Sequence, residues 1–218
     1  MTTTTVPTEQ TIDRAASGRA LSATVGVAVI VGSIRQDRFG PTPSKWIVDQ
    51  ARRREGVDVD LIDLADYDLP VVLDGNDQNA PQPESVTELS RRLAAADAFV
   101  VVTPIYNRSY PASLKNAIDW FYAEWQLKPV GFISYGGLTG GLQSIDALRS
   151  VFTEFHSVPL RDSITFANFW EAFDHDGRPT DAEGPSKLAD DFLGQLAWWA
   201  QTLRQARIDR PYPFVWSE

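Results

Sequence analysis

The sequence predicts an α/β fold, a doubly wound five-stranded parallel sheet with helices on both faces. Two observations carry that expectation. Five segments of strand length and pattern, at residues 25–31, 57–64, 98–102, 129–135 and 158–166, are separated by segments whose apolar residues recur at helical spacing. Strands that alternate with helices pair in parallel through right-handed crossovers, and the helices then cover both faces of the sheet.

Each element has its own warrant. Val25 to Val31 is an unbroken apolar run that stops at Gly32, as a strand buried on both faces requires. Thr42 is placed to cap the first helix, with Pro43 at its first position, where a missing N–H costs nothing. Trp46, Ile47, Gln50 and Ala51 follow at helical spacing, and Arg52 to Arg54 suit its C-terminal end. From Val57 to Leu64 apolar and acidic residues alternate, the pattern of a strand near the sheet edge. Asp66 to Pro83, rich in Asp, Asn, Pro and Gly, reads as a long surface loop.

The second helix starts at Glu84 or Ser85 and turns Val86, Leu89, Leu93 and Ala96 inward, and the next strand, from Ala98, ends at Thr103-Pro104. A third helix is expected from about Pro111 to Trp125. Its stripe of Leu114, Ala117, Ile118, Phe121, Tyr122 and Trp125 is so aromatic that a subunit interface is expected there. Pro129 to Tyr135 is the fourth strand and Val158 to Phe166 the fifth, with a helix from about Gly141 to Phe155 between them, burying Ile145, Leu148 and Phe152. Asn168 to Pro185 is a loop with a turn at Asp174-His175-Asp176-Gly177, which lacks the later ligands of a calcium loop. The last helix begins at Ser186, with Leu188, Phe192, Leu196, Trp199 and Leu203 as its inner face. Residues 24–208 thus form one domain, preceded by a mobile arm, 1–23, that drapes over a partner subunit, and followed by an apolar tail, 209–218.

Composition narrows the function. Hydrophobic residues make up 43% of the 218 and charged residues 22%, an ordinary globular balance. A net charge of -9 repels nucleic acid and anionic membranes, and no apolar run reaches the ~20 residues of a membrane span. With no cysteine there is no disulfide, thiolate catalysis or iron–sulfur cluster. His156 and His175 lack ligand spacing, so no metal site is expected. The arm carries no secretory signal, and the cytoplasm is the simplest location.

Two doubly wound orders fit five strands, the flavodoxin-like one and the longer dinucleotide-binding one, and the chain length favours the first. Either way, ligands sit at the carboxyl ends of the strands, where three loops meet: 32–42, 103–111 and 135–141. The first has neither the ending of a P-loop nor G-x-G-x-x-G. It offers instead the Ser33 hydroxyl and the Arg35 and Arg38 guanidinium groups beside a helix N-terminus, a set suited to a single terminal phosphate. The second loop, Thr103 to Pro111, is stiffened by Pro104 and Pro111 and presents Tyr106 and Asn107 to a flat, partly polar heterocycle. The third, Ser134 to Gly141, holds four glycines and permits close approach of a ligand edge.

Taken together, these residues resemble the NADPH-dependent FMN reductase family of flavodoxin-like proteins. The match runs through Gly32-Ser33-Ile34-Arg35 with Arg38-Phe39-Gly40, then Thr103-Pro104-Ile105-Tyr106-Asn107 with Ser109 and Pro111. It continues in Leu114-Lys115-Asn116-Ala117-Ile118-Asp119-Trp120, Lys128-Pro129-Val130-Gly131 and Ser134-Tyr135-Gly136-Gly137, and it spans roughly 25–166. The resemblance implies FMN, with Ser33, Arg35, Arg38, Phe39 and Gly40 at the phosphate. Pro104, Ile105, Tyr106 and Asn107 would hold the ring, with Ser134, Tyr135, Gly136 and Gly137 along its edge. It also implies a homodimer or homotetramer. Two departures stand out: many members carry Glu at the position of Ile105, and prolines 41 and 43 are expected to delay the first helix by half a turn.

The activity implied is that of an FMN-dependent oxidoreductase. NADPH or NADH gives hydride to flavin N5, and a quinone, azo compound or free flavin receives the electrons in ping-pong order. No protein side chain is assigned a catalytic role; Arg108 and Tyr110, beside the ring loop, are candidates for substrate contact. The alternatives are a flavodoxin-like electron carrier, against which the missing T-x-T-G-x-T loop counts, and a flavin-supplying partner of a monooxygenase.

Overall fold

The computed structural model describes residues 24–73, 82–181 and 183–213. The arm expected at 1–23 and residues 214–218 of the expected tail lie outside them. Five parallel strands, β1 (Val25–Val31), β2 (Val57–Asp63), β3 (Ala98–Pro104), β4 (Pro129–Tyr135) and β5 (Val158–Phe166), form one sheet in the order β2-β1-β3-β4-β5. This is the flavodoxin-like order, with its switch point between β1 and β3. Six helices accompany it among the described residues: α1 (Pro41–Arg52), α2 (Glu84–Ala95), α3 (Ala112–Asp119), α4 (Leu142–Glu154), the short α5 (Phe169–Ala172) and α6 (Gly184–Asp209).

The two faces of the sheet build two cores, because successive strand residues point to opposite sides. Ala28 and Ile30 of β1 join α2, α3 and α4 on one face; Val25, Val27 and Val29 join α1 and α6 on the other. Gly131 shows why β4 carries a glycine in mid-strand: a Cβ there would lie 2.3 Å from the Phe192 ring of α6. The glycine is the socket for that ring.

Four expectations need correction. First, α1 begins at Pro41 rather than being delayed, with Gly40 as its N-cap. Both prolines fall within the first turn, where no intrahelical donor is lost, so Thr42 is inside the helix and caps nothing. Second, α3 ends at Asp119 rather than Trp125. The chain turns inward there, and the Trp125 indole N–H donates to the Ile118 carbonyl at 3.1 Å.

Third, this turn hides the aromatic stripe without a partner subunit. Phe121 and Trp125 are buried in the core below α2, α3 and α4, Trp125 packing 4.7 Å from Phe99 and 5.6 Å from Phe152, and only Tyr122 is exposed. Fourth, the buried stripe of α6 is Ala189, Phe192, Leu193, Leu196 and Ala200, while Leu188 is exposed. Phe192 and Leu196 stay inward as expected, joined by Ala189, Leu193 and Ala200.

Both edges of the sheet are partly guarded. At β5 the pairing slips between Val130 and Phe132 of β4, which oppose Pro159 and Ser163, and Arg149 of α4 covers the carbonyls of Leu160 and Arg161. At β2, Asp58 and Asp60 alternate with apolar residues, and Arg92 of α2 binds the Asp60 carboxylate and the Leu61 carbonyl.

Candidate flavin site

The register of the parallel strands delivers the three loops to one place. Val31 lies beside Val102, Thr103 beside Ser134 and Pro104 beside Tyr135, so residues far apart in sequence meet at the carboxyl end of the sheet. Ser33 is fully buried, and its Oγ shares a hydrogen bond of 2.9 Å with the Tyr106 hydroxyl of the second loop. Tyr135, at the end of β4, reaches under the first loop: a Cβ on Gly40 would lie 3.0 Å from its Oη. Burial, then the Tyr106 hydroxyl, push Tyr135 well above the usual tyrosine range, with Arg38 and the Gly40 N–H opposing. It is therefore a neutral hydroxyl, able to donate.

The helix terminus itself offers an anion little. Two of its first three residues are prolines, and the N–H of Thr42 donates to Phe39 O at 3.0 Å. The donors lie in the loop instead. Asp37 adopts a left-handed conformation (φ 52°), the kind of reversal that turns consecutive N–H groups toward one concavity. Arg35 is exposed and has no carboxylate partner among the described residues. Arg38 differs from the expectation for it: its Nη2 meets Asp63 Oδ2 at 2.5 Å, and its buried Nε has no hydrogen-bond partner. Phe39 turns away from the loop into an aromatic group with Tyr135, Phe169 and Phe173.

The second loop closes as a two-residue turn. Tyr106 N and Ser109 N donate to each other's carbonyls at 2.7 and 3.0 Å, with Asn107 and Arg108 both left-handed (φ 49° and 69°). Non-glycine residues there cost on the order of 1 kcal/mol each, so the turn needs fastening. Ser144 of α4 supplies it, its hydroxyl lying 3.1 Å from Pro104 O and 2.9 Å from Ser109 O. Asn107 and Arg108 are exposed at the tip, whereas Tyr110 packs against the core, and burial raises its hydroxyl pKa.

In the third loop Ser134 is committed to the loop's own shape, donating to Gly140 O at 2.7 Å. Gly140 and Gly141 are left-handed (φ 59° and 87°), and a Cβ on Gly136 would lie 2.6 Å from Ile105 of the second loop. Gly137 has nothing within 4 Å of where a Cβ would stand, which leaves an open backbone edge. Beside the first loop a cleft of about 570 Å³ opens, walled by Ser33, Arg35 and Tyr106 on one side and by Tyr67, Leu69 and Asn116 on the other. That second wall was invisible in the sequence. Arg92 holds the Tyr67 hydroxyl, and Asn116 and Trp120 donate to the Pro70 carbonyl.

These donors fit a phosphate. Ser33 and Tyr106, which share a hydrogen bond, line one cleft with Arg35. Tyr135 lies near Tyr106 and Arg38, the buried Arg38 Nε lacks an acceptor, and Asp63 on Arg38 and Asp68 in the cleft are the opposing carboxylates. The surplus of donors is what an anion would satisfy.

Known proteins bear on the same loops. The family model described as NADPH-dependent FMN reductase matches residues 25–171. An NAD(P)H-dependent FMN reductase of Schizosaccharomyces pombe is 38% identical over 128 residues, 56% of this chain and 62% of that protein, so the match spans less than two thirds of that relative. A 2-hydroxy-1,4-benzoquinone reductase of a Burkholderia species is 30% identical over 82% of this chain and 97% of its own. Among solved structures, the flavoenzyme NAD(P)H:(acceptor) oxidoreductase FerB of Paracoccus denitrificans superposes with a TM-score of 0.66 at 31% identity, covering 82% of this chain and 98% of FerB. That family model spans all five strands and the three loops, and the chain belongs to the NADPH-dependent FMN reductase family.

Proposed function

We propose that this chain is an FMN-dependent oxidoreductase that takes electrons from NADPH or NADH and delivers them to a small acceptor of the quinone type. The observation that carries the reading is the buried Ser33 hydroxyl bonded to the Tyr106 hydroxyl in the wall of a cleft that Arg35 also lines, with an open backbone edge at Gly137 on the third loop. Ser33, Arg35 and the N–H groups of the first loop hold the phosphate, with the Tyr106 hydroxyl beside Ser33. Arg38 contributes its charge from the Asp63 pair, and Phe39 and Gly40 shape the loop. Pro104, Ile105, Tyr106 and Asn107 support the ring, and Ser134, Gly136 and Gly137 border it. FMN, when bound, accepts hydride from the nicotinamide and passes two electrons on, so donor and acceptor use one open face in turn.

Residues 24–208 form the FMN-binding unit. The reading includes a cytoplasmic homodimer or homotetramer, with Arg108, exposed on its turn, as a substrate contact. No helix among the described residues is long and apolar enough to cross a membrane.

The test is steady-state NADPH oxidation by the FMN-loaded protein with a benzoquinone acceptor. Turnover with parallel double-reciprocal lines is expected. A yellow protein that is inert toward quinone is an electron carrier instead, and one that loses its FMN on dialysis is a flavin supplier. Arg108→Ala is expected to raise KM for donor or acceptor; unchanged constants for both remove Arg108 from the site.

A further inference from the structure

The segment that follows β5 touches two of the three loops at once. The N–H of Asn168 donates to Gly137 O at 3.0 Å and that of Phe169 to Gly136 O at 3.1 Å, so the third loop is laced to this segment through its backbone. The Phe169 ring then lies 4.9 Å from Phe39 of the first loop and 5.9 Å from Tyr135. Phe173 lies 5.6 Å from Phe39 and 6.3 Å from Trp46 of α1. The segment also has its own stiffening: Phe173 and Pro179 form a bridge, and the Asp174 carboxylate accepts the N–H groups of Asp176 and Arg178 at 2.9 Å. Its turn rests on the first helix, since a Cβ on Gly177 would stand 3.7 Å from Thr42 Cγ2.

We propose that residues 168–179 act as a brace that fixes the first and third loops relative to each other, with Phe169 as a positioning residue working through Phe39. The inference rests on the FMN reading above: the first loop takes the phosphate and the third the ring edge. A ligand anchored at both ends is held longer when its two anchors cannot move independently, since no ordering cost remains to be met on binding. The brace thereby makes FMN a slowly released resident and not a passing substrate. The second loop is fastened separately, by Ser144.

The test is the rate of FMN release from the full-length reconstituted protein, followed by recovery of free-flavin fluorescence. Phe169→Ala is expected to speed release about fivefold, the equivalent of one lost aromatic pair, beside a fall in the melting temperature of the FMN-free protein that Phe169→Leu largely avoids. Phe169→Leu is expected to restore the slow rate to within about twofold, since a bulky apolar contact to Phe39 remains. If Phe169 works through Phe39, the double variant Phe39→Ala with Phe169→Ala releases FMN no faster than Phe39→Ala alone. Should Phe169→Ala fail to fold, Phe173→Leu takes its place in the same cycle. Release at the wild-type rate, or effects that multiply in the double variant, overturns the brace while leaving the FMN reading intact. A wild-type protein that takes up no FMN removes both.

Discussion

Two polar clusters sit at opposite ends of the sheet, and they are built on opposite principles. At the amino end of the strands, Asp97 accepts from the Gly26 N–H (3.1 Å), Arg204 (3.0 Å) and Arg207 (3.4 Å). Arg207 also donates to Leu127 O, and the buried Lys128 to the carbonyls of Leu93 and Ala94. There the cations end on carboxylate or carbonyl oxygens of the protein itself. At the carboxyl end the Ser33 and Tyr106 hydroxyls pair with each other, Arg38 Nε has no acceptor, and Arg35 reaches into solvent. A closed cluster holds the fold together, whereas an open one is set for a ligand. Charge and burial alone do not separate the two; the balance of donors and acceptors does.

The comparison can be broken from either side. The largest effect is expected from Asp97→Ala, which strands two arginines and a backbone N–H: unfolding in urea should show a loss of about 3–5 kcal/mol, with FMN affinity of the folded protein unchanged. The next is a pH effect. Burial, helped by Arg207, lowers the Lys128 pKa to about 8 from 10.5. Below pH 8 the folded state carries the buried charge; between pH 8 and 10 it sheds the proton while the unfolded chain keeps it, so stability rises with pH. Above 10 the buried Tyr135 hydroxyl, harder to ionise folded than unfolded, opposes the trend. The rise amounts to as much as about 3 kcal/mol, and Lys128→Met should flatten it.

The smallest, and the sharpest for the open cluster, is Arg35→Ala. It should weaken FMN binding by about 1.5–3 kcal/mol for a lost charged hydrogen bond and leave stability within about 0.5 kcal/mol. Calorimetric titration that finds wild-type affinity moves the phosphate away from the first loop.

Much of this architecture was legible in the sequence. The ends of β1 and β4 follow from apolar runs cut off by Gly32 and Gly136, and α2 buries the stripe its periodicity named. Where the sequence misled, the physical cause is specific. The apolar spacing of α3 continues through Phe121 and Trp125 although the backbone has left the helix, because the core accepts those rings from a turn as readily as from a helix. In α6, Ala189 and Ala200 carry little hydrophobic signal yet are fully buried.

The loops of the site were legible too, but not their convergence. That Ser33 meets Tyr106, or that Arg38 meets Asp63, depends on strand register, which one sequence does not encode locally. Ser144 left no signal at all: a serine on a helix looks like any solvated residue until its hydroxyl is seen under the second loop.

The guarded sheet edges have a consequence for assembly. Irregular pairing beside Arg149 and an acidic strand tied to Arg92 disfavour the docking of another strand on either edge. Contacts through helices and loops are thereby favoured over strand addition between copies of this chain. An extended peptide entering as a sixth strand would have to displace these arginine contacts, which is how the fold blunts a seed for cross-β stacking.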